Sequence, residues 1–214
     1  MSAEPGRREQ NKRRTRARIV ETARRLFAER GFDAVTVVQV ARAAGVSEGT
    51  VFNYFPAKED LFYDGMEAFE TLLVRAIRER SPAESVLSAF QRFVLDSTTR
   101  LAAEEITDVV AAAARVIAES RALQNRERAI VARYTDTLAA VIAEETGVDE
   151  RDIEPWAVAN GLMGVQQSLI TYIRAEALEG RHGSSLAADA EAQAERAFAR
   201  LETGLGGYAI RPPR

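Results

Sequence analysis

Residues 36–58, TVVQVARAAGVSEGTVFNYFPAK, decide how this chain folds. Thr36 precedes an apolar helical pattern, and Gln39 stands three residues later, which is the spacing of a capping box. Gly45 can end this first helix because glycine enters the left-handed backbone conformation at no steric cost. Ser47 can cap a second short helix, which a proline then ends. The stretch therefore predicts a helix-turn-helix.

The composition narrows the class of protein. With 214 residues, of which 46% are hydrophobic, the chain can bury the core of one or two domains. It contains no cysteine, which excludes disulfides, thiolate nucleophiles and sulfur-ligated zinc. The N-terminal residues are basic, but no apolar run follows them, so a secretory signal is not predicted. We therefore expect a cytoplasmic protein.

Charge divides the chain into two parts. Residues 1–58 hold 12 Lys or Arg against 6 Asp or Glu, a net charge of +6, whereas residues 59–214 hold 17 against 26, a net charge of −9. The basic part contains the predicted helix-turn-helix. A nucleic acid would be attracted to that part and repelled by the other. A solvated basic tail is the alternative interpretation of the N-terminus.

Helical periodicity continues through the rest of the chain, so we predict an all-α fold. A three-helix head with the helix-turn-helix is followed by a helical-bundle body. The predicted segments are a basic flexible arm at 1–14, a DNA-binding domain at 15–56, an effector-binding and dimerisation domain at 57–205, and a tail at 206–214. One long helix from about Ala57 to Arg80 is expected to link head and body. Ser81, Pro82 and Glu84 predict the start of the next helix.

The segment from Pro155 to Ile173 has no charged residue in 19 positions. Its polar residues are too many for a membrane span, which leaves burial on more than one side, with one face against the body and another against a second subunit. The residues predicted for this subunit interface are Leu162, Val165, Leu169, Tyr172, Ala194, Phe198 and Leu201.

The helix-turn-helix resembles that of the TetR family of bacterial regulators. The residues that carry the resemblance are Thr36, Ala41, Ala44 to Ser47, Gly49, Thr50, Tyr54, Phe55, Lys58, Glu59 and Leu61. The resemblance covers about the first quarter of the chain. It implies that Thr36, Ser47, Tyr54 and Lys58 hold phosphates of the DNA backbone. It also implies that the last two long helices of each subunit form a dimer interface.

The N-terminal residues of the second helix are placed to contact base edges. They are Glu48, Gly49, Thr50, Phe52 and Asn53. Asn53 could pair with adenine, Glu48 could accept from cytosine, and Thr50 or Phe52 could contact a thymine methyl group. Glu48 could instead serve the helix dipole, and Asn53 could simply be solvated. Most members of the family have tyrosine at the position of Phe52, so its role departs from theirs.

Aromatic, methionine and amide side chains of the body could line an effector pocket of ~300–1,000 Å³. They are Phe69, Phe90, Phe93, Tyr134, Trp156, Asn160, Met163 and Gln167. Core packing is the alternative for each of them. The preferred hypothesis is a homodimeric repressor, released from an inverted-repeat operator in double-stranded DNA by a small-molecule effector. Alternatives are a regulator without an effector and an activator that works through a protein partner.

Enzymatic functions find little support. The stretch with glycines at 45 and 49 does not contain the lysine that a phosphate-binding loop requires. His182, the single histidine, has no matching serine and aspartate pattern, and the acidic residues between 144 and 154 lack the spacing of a calcium loop. We therefore predict no catalytic residues, no cofactor and no metal.

Overall fold

The protein is helical throughout the part that the structure, a computed structural model, describes: residues 6–149, 151–205 and 210. Those residues form ten α-helices and one 3₁₀ turn (Thr99–Ala102), with no strand among them, which confirms the predicted all-α class. The helices are α1 (Arg7–Arg30), α2 (Val37–Ala43), α3 (Glu48–Tyr54), α4 (Lys58–Phe62), α5 (Met66–Arg78), α6 (Val86–Thr98), α7 (Glu104–Glu119), α8 (Arg121–Thr146), α9 (Glu154–Leu178) and α10 (Gly183–Leu205).

The chain folds into two compact units. Met1–Met66 and Arg115–Arg126 form the head unit, while Glu67–Ala114 and Glu127–Arg214 form the body unit. The head unit thus contains the end of α7 and the start of α8. A division of the chain by sequence position alone does not predict that this segment belongs to the head.

The head unit is built around one apolar cluster. Apolar residues from the first 55 positions fill it and are buried, among them Ile19, Leu26, Phe27, Phe32, Val40, Val51 and Phe55. Val116, Ile117 and Leu123 complete the same cluster from the returning segment. Polar contacts add to it, since Ser120 donates to the Asp33 carboxylate at 2.7 Å. Residues 115–126 therefore belong to the head by both packing and hydrogen bonding.

Helix α1 begins earlier than expected. Residues 7–14, predicted as a flexible arm, are helical, and the Arg13 guanidinium lies 3.4 Å from the Glu9 carboxylate at the i, i+4 spacing of a helix. Residues 7–14 have no periodic apolar residues, so the sequence pattern did not predict this part of the helix. Residues 1–5 of the predicted arm, and 206–209 and 211–214 of the predicted tail, lie outside the described residues.

The predicted linking helix from Ala57 to Arg80 is interrupted. Helix α4 ends at Phe62 and α5 begins at Met66, with Gly65 at φ +93° in the connection. A continuous helix cannot accommodate that left-handed backbone conformation. The apolar stripe alone does not reveal the break.

Helix α6 starts later than the Ser81 signal predicts. Ser85 is its N-cap and accepts a hydrogen bond from the Ser88 amide at 3.1 Å. Ala83 has φ +67°, which no helix tolerates, while the Glu84 carboxylate accepts from the Ser81 amide at 2.8 Å. The predicted capping interaction therefore closes a turn before the helix.

The body unit combines helix packing with ion pairs. Helix α10 packs against α9 and α6. The Arg174 guanidinium on α9 donates to both oxygens of Glu127 on α8, at 3.0 and 2.6 Å. Arg80 is only 2% exposed and donates to the Glu145 carboxylate and, at 2.7 Å, to the Ile77 carbonyl. A buried guanidinium with these acceptors fixes the end of α8.

Candidate nucleic-acid interface and body sites

The predicted caps of the helix-turn-helix are all present. The Thr36 hydroxyl accepts from the Gln39 amide at 3.3 Å, and the Gln39 side chain accepts from the Thr36 amide at 2.9 Å. Gly45 has φ +65° in the turn, and the Ser47 hydroxyl accepts from the Thr50 amide at 3.1 Å. Local hydrogen bonds therefore define both helices independently of distant packing.

Helix α3 presents the predicted base-reading residues on its exposed side. Val51 is buried in the head cluster and fixes the rotation of the helix. Glu48, Gly49 and Asn53 are exposed, and Phe52 is 45% exposed although its side chain is large and apolar. The exposed side of α3 therefore offers an aromatic ring, an amide and a carboxylate to a partner.

Thr50 differs from these neighbours. It is half-buried, and its hydroxyl lies 2.8 Å from that of Ser47. This contact occupies one hydrogen-bonding position of the Thr50 hydroxyl, and the methyl group offers an apolar contact to a base.

The predicted phosphate-binding hydroxyls lie on both helices. Thr36 and Ser47 are exposed, while Tyr54 is half-buried with its ring 6.3 Å from that of Phe55. Accepting an amide hydrogen uses one oxygen lone pair of Thr36 and leaves the hydroxyl proton for donation. A capping hydroxyl can therefore also donate to a phosphate.

Lys58 makes contacts within the head unit. Its ammonium donates to the Phe32 carbonyl at 2.6 Å and lies 4.0 Å from the centroid of the Phe32 ring. Burial lowers the pKa of this ammonium, against the opposing charges of Asp33 and Glu59. The carbonyl uses one of the three N–H donors, which leaves others for a phosphate.

The head sequence matches a known family model. Residues 19–63 match the model described as "Bacterial regulatory proteins, tetR family". The transcriptional regulator TcmR of Streptomyces glaucescens is 28% identical over 155 residues, covering 69% of this chain and 67% of TcmR. The chain belongs to the TetR family. It is thus a DNA-binding transcriptional regulator, and the TetR family is not a family of enzymes.

Solved structures share the fold of this TetR-family chain over most of its length. The SmeT–triclosan complex aligns with a TM-score of 0.59 at 16% identity and covers 94% of this chain and 96% of SmeT. NalD, the secondary repressor of the MexAB-OprM multidrug efflux pump in Pseudomonas aeruginosa, aligns with a TM-score of 0.56 at 22% identity and covers 89% and 96% of the two chains. At these identities the likeness establishes the fold alone.

The eight residues predicted for an effector pocket of this TetR-family regulator do not form one group. Phe69 packs edge-on against Phe93 at 5.3 Å and stacks on Tyr134 at 5.4 Å, measured between ring centroids. Phe90 instead contacts Phe198 at 6.1 Å. Met163 is buried on α9. The aromatic residues therefore belong to separate clusters in the body unit.

Trp156, Asn160 and Gln167 lie on another side of α9. They line an open groove of about 350 Å³ against α8, together with Asp136 and Thr135. Trp156 is 44% exposed. The sequence analysis predicted these three residues for an effector pocket together with the aromatic residues. In this groove Trp156 and Asn160 are exposed and Gln167 is half-buried.

The predicted dimer-interface residues are mostly buried within the single chain. Leu162 is 0% exposed, and Leu169, Ala194 and Phe198 are also buried, while Val165, Tyr172 and Leu201 are half-buried. A side chain with no accessible area has none to contribute to a second subunit. The exposed side of α9 is a different strip, here called the outer strip, formed by Ala157, Asn160, Gly164, Ser168, Thr171 and Ala175.

Residues that the sequence analysis did not single out also reach the surface of the head. Val38 on α2 is strongly exposed, out of phase with the buried Val40 and Ala41. That phase mismatch is the signal that could have identified it. Across residues 6–149, 151–205 and 210, no group of acidic or histidine side chains could hold a metal ion, and no helix is long and apolar enough to cross a membrane.

Proposed function

We propose that this TetR-family regulator is a homodimeric repressor that binds an inverted-repeat operator and is released by a small molecule. The observation that carries the proposal is the exposed side of α3, where Glu48, Phe52 and Asn53 stand free while Val51 anchors the helix. A recognition helix needs this combination of a fixed rotation and accessible side chains.

Each exposed side chain of α3 has a chemistry suited to one base. The Asn53 amide can pair bidentately with adenine, and the Glu48 carboxylate can accept from the amino group of cytosine. The Phe52 ring and the Thr50 methyl group suit thymine methyl groups. The hydroxyls of Thr36, Ser47 and Tyr54 and the Lys58 ammonium would bind phosphates and set the register.

The outer strip of α9 supports the dimer. All of its residues except Ala175 belong to the stretch without charge, and the small residues in it leave room for a second helix. A side-chain carbon added at Gly164 would meet nothing within 4 Å. A second copy would cover the strip about a two-fold axis, and a two-fold dimer requires two-fold symmetry in the DNA. We therefore place the interface on the outer strip and not on the buried Leu162 and Leu169.

Two of the structural relatives support the repressor and effector parts of the proposal. SmeT is solved with triclosan, and NalD is a repressor of a multidrug efflux pump. Phe69 and Phe93, which are half-buried in the body unit, are apolar surfaces that an effector could contact.

Selection of DNA from a random pool tests the proposal, with footprinting of the winning sequences. We expect an inverted repeat whose half-site centres lie about 34–36 Å apart or somewhat more. A single asymmetric half-site bound by one chain would refute the dimer. Binding without sequence enrichment would refute base reading by α3.

A further inference from the structure

Helix α9 contains one polar side chain that differs from the others in its uncharged stretch. Asn160, Ser168 and Thr171 are exposed, and each donates to the carbonyl four residues earlier at 2.8–2.9 Å. Gln166 is only 6% exposed. Its Oε1 is buried and accepts no hydrogen bond from any residue that the structure describes.

Gln166 lies in the middle of the buried face of α9. At 100° per residue it falls between Ala159, Leu162, Met163 and Leu169, all of which are buried and apolar. An amide oxygen in such surroundings loses its hydrogen bonds to water and gains none in return. A methionine of similar volume would avoid this cost, so the amide is a poor choice for packing alone.

Aromatic side chains lie level with Gln166. Helix α10 runs antiparallel to α9, and a side-chain carbon at Gly161 would lie 3.8 Å from Leu205. This register brings Phe198 within one helical turn of the level of Gln166. The Phe198 ring lies 6.1 Å from the Phe90 ring. At the level of Gln166 the buried side chains of α9 and α10 are therefore apolar and partly aromatic.

We propose that Gln166 Oε1 is the polar anchor of an effector site in the body unit, and that the effector is an uncharged, largely apolar molecule with a hydrogen-bond donor such as a phenolic hydroxyl. An acceptor oxygen selects a donor. The absence of charged residues from 155 to 173 argues against a charged ligand, because nothing on this face of α9 would balance its charge. The proposal rests on the effector response proposed above.

Matched aromatic probes test the direction of the hydrogen bond. Phenol and 2-naphthol carry a donor, whereas anisole and 2-methoxynaphthalene have the same rings without one. Calorimetric titration of the purified protein should show that the hydroxyl member of at least one pair binds about three- to tenfold more tightly than its ether. Gln166→Met should remove this preference, and Gln193→Met, at an exposed position of α10, should keep it.

Three results would overturn the proposal: equal affinity for hydroxyl and ether, no binding of either pair, or an unchanged preference in Gln166→Met. The melting temperature of the ligand-free protein gives a separate check. It should be unchanged or higher in Gln166→Met, because an unpaired amide is removed. A clear decrease would mean that the amide already has a structural partner, which also overturns the proposal.

Release of labelled operator separates this site from the proposed function. Probes that bind with the expected preference but leave the DNA bound would refute the effector response and retain the site. Release that does not depend on Gln166 would retain the effector response and refute the site.

Discussion

Lys58 should have two separable roles, in stability and in DNA binding. Its ammonium donates to the Phe32 carbonyl at 2.6 Å and lies 4.0 Å from the centroid of the Phe32 ring. A hydrogen bond from a charged donor contributes about 1.5–3 kcal/mol, and an exposed cation–π contact about 0.5–1 kcal/mol. Because methionine keeps the apolar stem and removes both contacts, Lys58→Met should lower the free energy of unfolding by about 2–4 kcal/mol.

The effect of Lys58→Met on DNA binding follows from counterion release. If each Lys58 also contacts one phosphate, a dimer loses two contacts, and the salt slope falls by about 1.8. Between 50 and 200 mM salt, the ratio of wild-type to variant affinity should then shrink by about tenfold, equally on operator and random DNA. Chemical denaturation and polarisation titrations measure the two effects separately.

Arg75→Met is the matched control for Lys58→Met. Arg75 is exposed on α5 and pairs with Glu79 at 2.7 Å, so its loss should change neither the stability of the head nor the salt slope. A lower stability of Lys58→Met with an unchanged slope would refute the phosphate contact. An unchanged stability would refute the contribution of the Phe32 carbonyl contact.

Three further predictions concern other parts of the fold. Ser47→Ala removes the N-cap of α3 and should cost about 1 kcal/mol in thermal unfolding, whereas Ser47→Asp should keep the cap and weaken DNA binding by placing a carboxylate beside a phosphate. Arg80→Met removes a buried guanidinium from the Glu145 carboxylate, which water can still reach, and should cost about 1.5–3 kcal/mol in denaturation. A double variant that adds Glu145→Gln should lose less than the sum of the two changes. Gly164→Arg places a charge on the outer strip and should give folded monomers in light scattering. Leu72→Arg, at an exposed position of α5, should leave the dimer intact. A dimer in both variants would place the interface elsewhere.

The helix-turn-helix was predictable because short-range chemistry determines it. Thr36, Gln39 and Ser47 form their caps with residues three positions away, and Gly45 fixes the turn through its own backbone. Signals of this kind are complete within a few residues. The burial of Val51 and the exposure of Asn53 then follow from helical periodicity.

The surface of α9 could not be predicted in the same way. In most helices charged residues mark the solvent side, but residues 155–173 contain none. The size of the apolar side chains then suggested an interface at Leu162 and Leu169, whereas both pack inside the chain. Because the core prefers the large residues, the small ones, including Gly164, remain outside.

Local sequence patterns also did not predict features that depend on contacts between distant residues. The return of residues 115–126 to the head depends on Leu123 joining a cluster whose other members lie mostly in the first 61 residues. The unpaired oxygen of Gln166 is a property of its surroundings. The sequence shows only a glutamine in a helix.

Asn53→Ala asks whether the exposed side of α3 reads base sequence. Asn53 is exposed and lies outside the head cluster, so the variant should fold normally. Binding to the selected operator should weaken by about 1–3 kcal/mol, with little change on random DNA and with tolerance at one symmetric pair of positions. Equal losses on both DNAs would contradict this account and make Asn53 a backbone contact.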